Sequence, residues 1–332
     1  MLGKRIKELR ERNGIFLDNL AHNSGISIEA LNRLEDNEIE HVENHELFTI
    51  IDNLHLKSAY DFTYLMRLNT VSRKFQAYVV GLPKTGTVSL AAIFGNYRFG
   101  HEFDQWETHQ MVIKHKKGLI SKKQVCEYLK RRDLMAGLLE MDSAHFNRHY
   151  LDILADEYPE ARFICLIRDC YSWLDSYINH LMEPEREVIQ SREICNGFPF
   201  DLPRGSLKER AELVNNFHKY IATPLSFWAS SYKDMFENLP HGRSLIVKTQ
   251  EISGKVDEIA NFVGVSPQSL INENSHLNKS EKKVHILHKL DYNFLKVKFD
   301  EYCSVLMDKY FPDYSFKDYL PTLKIEITDL VL

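Results

Sequence analysis

The sequence predicts an α/β unit at residues 75–332, a parallel sheet covered by helices on both faces, preceded by a small all-α unit at residues 1–68. Three observations predict this arrangement. Short apolar runs at 75–80, 162–167 and 244–247 alternate with helical stretches, as in a parallel sheet buried on both faces. Before residue 69 the apolar positions recur at helical spacing instead. Between the two lies Asn-Thr-Val-Ser-Arg-Lys at 69–74, polar enough to serve as a linker.

The bulk properties agree. With 332 residues, 44% of them hydrophobic, the chain can bury a sizeable core. Its longest apolar runs fall far short of the roughly 20 residues of a membrane span. The N-terminus carries Lys4, Arg5, Lys7 and Arg10 with no apolar block behind them, so neither a signal peptide nor an anchor is expected. Five cysteines without paired spacing point to a reducing compartment, and no His/Cys cluster suggests a metal. A cytoplasmic protein without a metal cofactor is therefore expected.

The all-α unit reads in order as follows. Ile6 and Leu9 mark a first helix, and Leu17, Leu20 and Ala21 a second, closed by Gly25. Ser27 can cap a third helix with Ile28, Leu31 and Leu34 on one face. Leu47, Ile50, Ile51 and Leu54 mark a fourth. Helix, helix, glycine turn, helix is a helix-turn-helix layout. Through GKRIKELRERNGI, LDNLA and SGISIEALNRLEDNE, residues 2–65 resemble the Cro/repressor helix-turn-helix family. DNA is nonetheless not the expected partner. Residues 1–70 carry 8 Lys and Arg against 12 Asp and Glu, and the third helix offers only Arg33 against Glu29 and Glu35. Affinity for a duplex rests chiefly on phosphate neutralisation. Protein contact, including pairing with a second copy of the chain to form a homodimer, is the role left open.

In the α/β unit, helices are predicted at 88–96, 121–132, 146–157, 170–182, 207–238 and 256–263. The first run leads through Val79-Val80-Gly81-Leu82-Pro83-Lys84-Thr85-Gly86-Thr87-Val88-Ser89-Leu90 into a helix. Backbone amides there attract anions, Lys84 adds a full charge, and Thr85, Thr87 and Ser89 add hydroxyls. It is not the triphosphatase loop GxxxxGK[ST], because the lysine precedes the second glycine. The run at 162–167 ends in Arg168-Asp169 and opens another helix. Asp169 is a candidate cap, Arg168 a bidentate phosphate ligand, and Ser172 and Ser176 share one helix face.

In this order, the pattern PKxGT at the loop and an arginine followed eight positions later by Ser176 resemble the nucleotide-dependent sulfotransferase family. A strand followed by Thr249-Gln250-Glu251 and VDEIANFVGV supports the likeness. Members often carry an acidic YED-like tripeptide there, from which Thr249-Gln250-Glu251 departs. Ser275-His276-Leu277-Asn278-Lys279-Ser280 sits where the family places a basic loop over the 3′-phosphate. The likeness spans 75–315. It implies a three-layer, P-loop-like α/β/α fold and the donor 3′-phosphoadenosine 5′-phosphosulfate (PAPS), with 3′-phosphoadenosine 5′-phosphate (PAP) as product. It also implies roles: Lys84 at the bridging oxygen, Thr85, Gly86, Thr87, Val88 and Ser89 around the 5′-phosphate, and Arg168, Ser176, Lys279 and Ser280 around the 3′-phosphate. Sulfuryl transfer then proceeds in line, catalysed by positioning and charge stabilisation.

The acceptor hydroxyl or amine needs a base. In tyrosylprotein sulfotransferases a glutamate in a Gly-x-Glu setting serves, and Glu102 in Gly100-His101-Glu102 matches it approximately. Burial and the donor's negative charge are expected to raise its pKa. His101, Asp142 and His145 are the alternatives. Small-molecule sulfotransferases place a histidine near His145, but in a KTH motif that this chain lacks. Residues 109–132 hold eight basic side chains against Glu127 alone. They read as a solvated face or as an electrostatic guide for the donor or an acidic acceptor. Trp106, Tyr128, Trp173, Tyr177 and Trp228 read as core. A nucleotide-sensing transcription regulator built on a sulfotransferase-like domain is the rival function.

Overall fold

The protein is described by a computed structural model at residues 1–56, 58–181, 216–273, 287, 290–317 and 319. Five helices come first: α1 Leu2–Arg12, α2 Leu17–Ser24, α3 Ile28–Glu35, α4 Asn44–Asn53 and α5 Ala59–Thr70. Gly25, at φ 71°, takes the left-handed turn that ends α2, and the Ser27 side chain accepts the Ala30 amide at 3.1 Å to start α3. Helix α5 carries no simple apolar period and is not among the sequence-based expectations. It runs to Thr70, through the boundary expected at 68 and into the polar linker.

The sheet follows, with β1 Ala77–Gly81, β2 Phe99–His101, β3 Met141–Ser143, β4 Arg162–Ile167 and β5 Ser244–Lys248. All pairings are parallel, in the order β2-β3-β1-β4-β5. Successive side chains of a strand enter opposite layers. Tyr78, Val80, Phe163, Cys165 and Ile167 join one core, whereas Ala77, Val79, Ile164 and Leu166 join the other. The second core is closed by α6 Thr87–Ile93 and the helix Val256–Val263. The first is closed by α7 Gln105–Lys116, α8 Lys122–Met135, α9 Leu151–Glu157, α10 Cys170–Leu181 and the helices Ala222–Asn238 and Tyr292–Tyr310. The result is three layers around a parallel sheet. Of the predicted helices, 146–157 begins as a 3₁₀ turn at His145–Tyr150. The start of 207–238 lies outside the described residues. Among those described, no helix is long and apolar enough to cross a membrane.

The first core is continuous with that of α1–α5: Leu2, Ile6, Leu65 and Tyr64 belong to it together with Tyr78 and Tyr158. Buried charges cross the same boundary. Arg5 donates to Glu157 Oε1 at 2.5 Å and to its carbonyl at 2.7 Å. Lys130 reaches Asp61 at 2.7 Å and Glu157 at 3.0 Å. Arg73, inside the expected linker, pairs with Asp133 at 2.6 Å, and Tyr64 donates to the same carboxylate at 2.7 Å. The N-terminal helices are thus packed as a layer of the whole, not tethered by a solvated linker.

These pairs also revise the reading of the basic stretch. Lys130 and Arg132 are buried ion-pair members, and Lys122 reaches Asp156 at 2.8 Å, while Lys114, Lys116 and Lys117 are exposed. Tyr128, Trp173, Tyr177 and Trp228 are core as expected, but Trp106 is 63% exposed.

Burial by itself would raise the Glu157 carboxyl, but Arg5 and Lys130 outweigh it and hold the group below the usual carboxylate range. Removing one partner of a buried pair costs about 3–5 kcal/mol. Glu157→Gln is therefore expected to lose stability of that order in denaturant unfolding at neutral pH. A carboxyl with a depressed folded pKa stabilises above its unfolded value, here 4.5, and loses that contribution as pH falls through the folded value. The gap between wild type and variant should close as pH falls below 4.5; a gap independent of pH would exclude this account.

Candidate active site

Strands β1 and β4 are neighbours, with Gly81 opposite Leu166, so the loops leaving their carboxyl ends meet. The chain from β1 turns towards β2 on one side of the sheet, and that from β4 towards β5 on the other. The crevice between two such strands is where open α/β sheets bind ligands.

The loop 82–86 has an unusual internal accounting. Three successive carbonyls accept hydrogen bonds from side chains of three separate segments. Trp173 Nε1 donates to Pro83 O at 2.9 Å, Arg168 Nη1 to Lys84 O at 3.0 Å, and Thr249 Oγ1 to Thr85 O at 2.7 Å. In a trans peptide the N–H lies opposite the C=O. Turning these carbonyls inward therefore turns the amides of Lys84, Thr85 and Gly86 the other way, into an anion-binding nest beside the start of α6. Lys84 and Gly86 sit at φ 68° and 93°, left-handed conformations that such a nest needs.

Two glycines leave room for it. A Cβ on Gly81 would lie 2.8 Å from Thr85 Oγ1 and 3.0 Å from Leu166 O. One on Gly86 would lie 3.0 Å from Ile252 and 3.3 Å from the Thr249 methyl. The hydroxyls, by contrast, are not arrayed as expected. Thr85 is fully buried and donates to Leu82 O at 2.7 Å, which closes the turn. Thr87 Oγ1 lies 3.1 Å from His101 Nε2, and Ser89 is buried. What this loop can offer an anion is therefore chiefly backbone, and Lys84 and Val88 are half-buried beside it.

At the end of β4, Asp169 accepts the amide of Ser172 at 2.8 Å and also its hydroxyl, the cap expected for α10. Arg168 Nε donates to Ser172 Oγ at 2.9 Å while Nη1 holds Lys84 O. The Arg168 carbonyl is itself held by Trp228 Nε1 at 3.1 Å, and that of Leu166 by the Tyr232 hydroxyl at 3.0 Å. Ser176, one turn beyond Ser172, is half-buried on the same helix. Lys279 and Ser280 lie outside the described residues.

The candidate bases separate. Asp142 is buried in a two-point pair with Arg132, at 2.6 and 3.1 Å, and Arg132 also donates to Phe103 O at 3.0 Å. Glu102, His101 and His145 come together instead. Glu102 Oε1 meets His145 Nδ1 at 2.6 Å, with His101 Nε2 at 3.9 Å and, from there, Thr87 of the loop helix. The His145 ring packs 5.5 Å from those of His109 and Phe146.

Glu102 does not have the raised pKa expected of it. Burial pushes its carboxyl up, but His145, through charge and hydrogen bond, and then His101 and His109 outweigh that and bring it down to about 2. Burial lowers His101 below the usual imidazole value. A carboxylate this acidic is a poor proton acceptor near neutrality but a good anchor for an imidazole. Glu102 also holds a left-handed φ of 52°, as does Asp104 two residues on, conformations that cost of order 1–3 kcal/mol each and concentrate at functional sites.

Residues 76–236 match the family model described as a sulfotransferase domain. The matched span takes in the loop, Glu102, His145, Arg168 and Ser176, and leaves out the N-terminal helices and Thr249. It supports a sulfotransferase family for this domain, and with it sulfuryl transfer in general. The curated proteins contain no match to the chain.

Gly81→Ala forces a methyl against backbone at Leu166 and against the hydroxyl that closes the loop. It is expected to cost about 1–3 kcal/mol, the usual range for overpacking, and to weaken anion binding at the loop. Thermal unfolding together with sulfate titration checks this, and wild-type values for both would contradict the crowding seen here.

Proposed function

Taking a sulfotransferase domain at residues 76–236 as the premise, we propose that this chain transfers a sulfuryl group from PAPS to an acceptor hydroxyl or amine. One observation carries the proposal. At the ends of β1 and β4, Arg168 Nη1 donates to the Lys84 backbone carbonyl at 3.0 Å, so two cationic residues stand side by side where the two loops meet. A donor with separate 5′- and 3′-phosphates suits two such centres. The amides of Lys84 to Val88 would hold the 5′-phosphate, and Arg168, with Ser176, the 3′-phosphate. The Lys84 charge would stabilise the bridging oxygen as it becomes anionic, an interaction stronger in the transition state than in the ground state.

For the base the geometry favours His145 over the other candidates. Its Nδ1 faces Glu102, which fixes the ring and stabilises the imidazolium, so that Nε2 takes the acceptor's proton. Glu102 acts through His145, and Asp142 is occupied by Arg132. For the N-terminal helices we propose a packing role rather than DNA recognition. The one basic residue of α3, Arg33, faces Glu38 at 3.2 Å, while Arg10 of α1 is taken by Glu35 at 2.7 Å. That weighs against the regulator reading. The acceptor's chemical class is left open.

In titration calorimetry PAP should bind much more tightly than adenosine 5′-monophosphate. Arg168→Ala should cost roughly 1.5–3 kcal/mol with PAP, the value of a charge-assisted contact, and little with the monophosphate. Lys84→Ala should lower turnover far more than PAP affinity. Equal affinity for the two nucleotides would remove the 3′-phosphate site, and with it the donor assignment.

His145→Ala should reduce turnover about 10²–10⁴-fold with PAP binding intact. Glu102→Gln should lower turnover without abolishing it, because the His145 ring loses the charge that orients it. A Glu102→Gln enzyme that is inactive at every pH, beside an active His145→Ala enzyme, would return the role to Glu102.

A further inference from the structure

Thr249 follows β5 as the first residue of the tripeptide that departs from the sulfotransferase pattern, and it lies outside the span matched by the family model. Its position in space explains the residue. The hydroxyl lies 2.7 Å from the Thr85 carbonyl and 3.3 Å from that of Ile167. A hydroxyl has one proton to donate, so the shorter contact to Thr85 takes it. On the other branch of the side chain, the methyl stands against Gly86, where an added Cβ would come within 3.3 Å of it, and Ile252 continues that wall at 3.0 Å. One β-branched side chain therefore touches both residues at the turn of the loop: it holds a carbonyl at Thr85 and backs the left-handed glycine after it.

The three donors to the loop differ in what else they do. Arg168 is charged and is the proposed 3′-phosphate ligand, so its loss removes a ligand group as well as a support. Trp173 is fully buried in the core and stacks on Tyr177 at 5.0 Å, so its loss disturbs packing. Thr249 is half-buried, neutral and at the start of a short 3₁₀ turn. It is the donor whose removal isolates the support of the loop from ligand charge and from core volume.

We infer that Thr249 is a positioning residue, which sets the direction of the loop amides and of Lys84 by holding the Thr85 carbonyl from behind. The inference rests on the sulfotransferase reading for its catalytic consequence, but not for its structural one. Without the hydroxyl, the Thr85 carbonyl loses its inward partner and the peptide that follows it is released to rotate. Nothing is lost that would touch the donor, so the effect belongs to the geometry of transfer more than to affinity. Misplacement by about an ångström can cost on the order of 10²-fold in rate.

Thr249→Val keeps the shape and the methyl branch and removes the hydroxyl; Thr249→Ser keeps the hydroxyl and removes the methyl. Hydrogen exchange of the ligand-free full chain reads the loop directly. In the valine variant, amides within residues 82–88 should exchange roughly 3- to 10-fold faster, the loss of one net hydrogen bond, while β4 and the helix Val256–Val263 stay as in wild type. The serine variant should restore wild-type exchange. With PAPS and an acceptor, the valine variant should show a fall in kcat of about 10-fold or more and a less than threefold change in PAP affinity. Unchanged loop exchange in the valine variant, or a serine variant that exchanges like the valine one, overturns the inference. If wild type neither binds PAP nor forms a sulfated product, the sulfotransferase reading falls instead, and the exchange result still decides the role of Thr249.

Discussion

The inward capture of three consecutive carbonyls, at Pro83, Lys84 and Thr85, is the constraint on which the site depends. A loop at the end of a buried strand cannot leave such groups unpaired, since each would cost about 1–3 kcal/mol. Here the partners come from side chains rather than backbone. That choice has a geometric consequence: the amides of the following residues face the crevice. Satisfying the interior and presenting donors to an anion are one act; Lys84, left-handed without being glycine, carries its cost in backbone strain, whereas Gly86 takes the same conformation freely.

The same economy extends along β4. Its last carbonyls are held by Tyr232 and Trp228 from the helix Ala222–Asn238, while the Arg168 side chain reaches back to the Lys84 carbonyl. Arg168 thus has a structural task and a binding task. It can do both because a guanidinium offers five donors in a rigid fork. Across β1, the pairing of Asp142 with Arg132 frees the neighbouring polar cluster from that carboxylate. Glu102, His101, His145 and Thr87 then form a chain from the candidate base to the loop helix. Two carboxylates brought together by the pairing of β2 with β3 have thereby been given different tasks by their partners: one neutralises a buried arginine, the other orients a histidine.

The N-terminal helices bear on this site from a distance. The charges they bury against α8 and α9 are nearly fully paired, which is the condition under which buried ions are tolerated. Glu157 alone meets Arg5, Arg12 and Lys130. With the rings of Tyr64 and Tyr78 packed at a tilt against Tyr158 across the boundary, the layer beneath β1 is continuous from α1 to the sheet. In this region the N-terminal helices and the sheet are built as one packed body.

Much was legible in the sequence because it rests on local chemistry. The apolar runs at 75–80 and 162–167 read as buried strands, the first of which the structure sets at Ala77–Gly81; Gly-Leu-Pro-Lys-Thr-Gly reads as a turn, and Asp169 as the cap of the helix that follows. These follow from backbone sterics and nearest neighbours. Helices α5 and α7 were not legible, since neither carries a clean apolar period; their burial is set by partners far along the chain. The site divides in the same way. Lys84, Gly86 and Arg168 announce themselves by spacing. That the Thr85 carbonyl is held by Thr249, that Lys130 is buried, and that Glu102 is held acidic by His145 were decided by the tertiary structure. In each case the deciding partner lies more than 40 residues away, and a hydrogen bond or ion pair between distant residues leaves no period in the sequence that could reveal it.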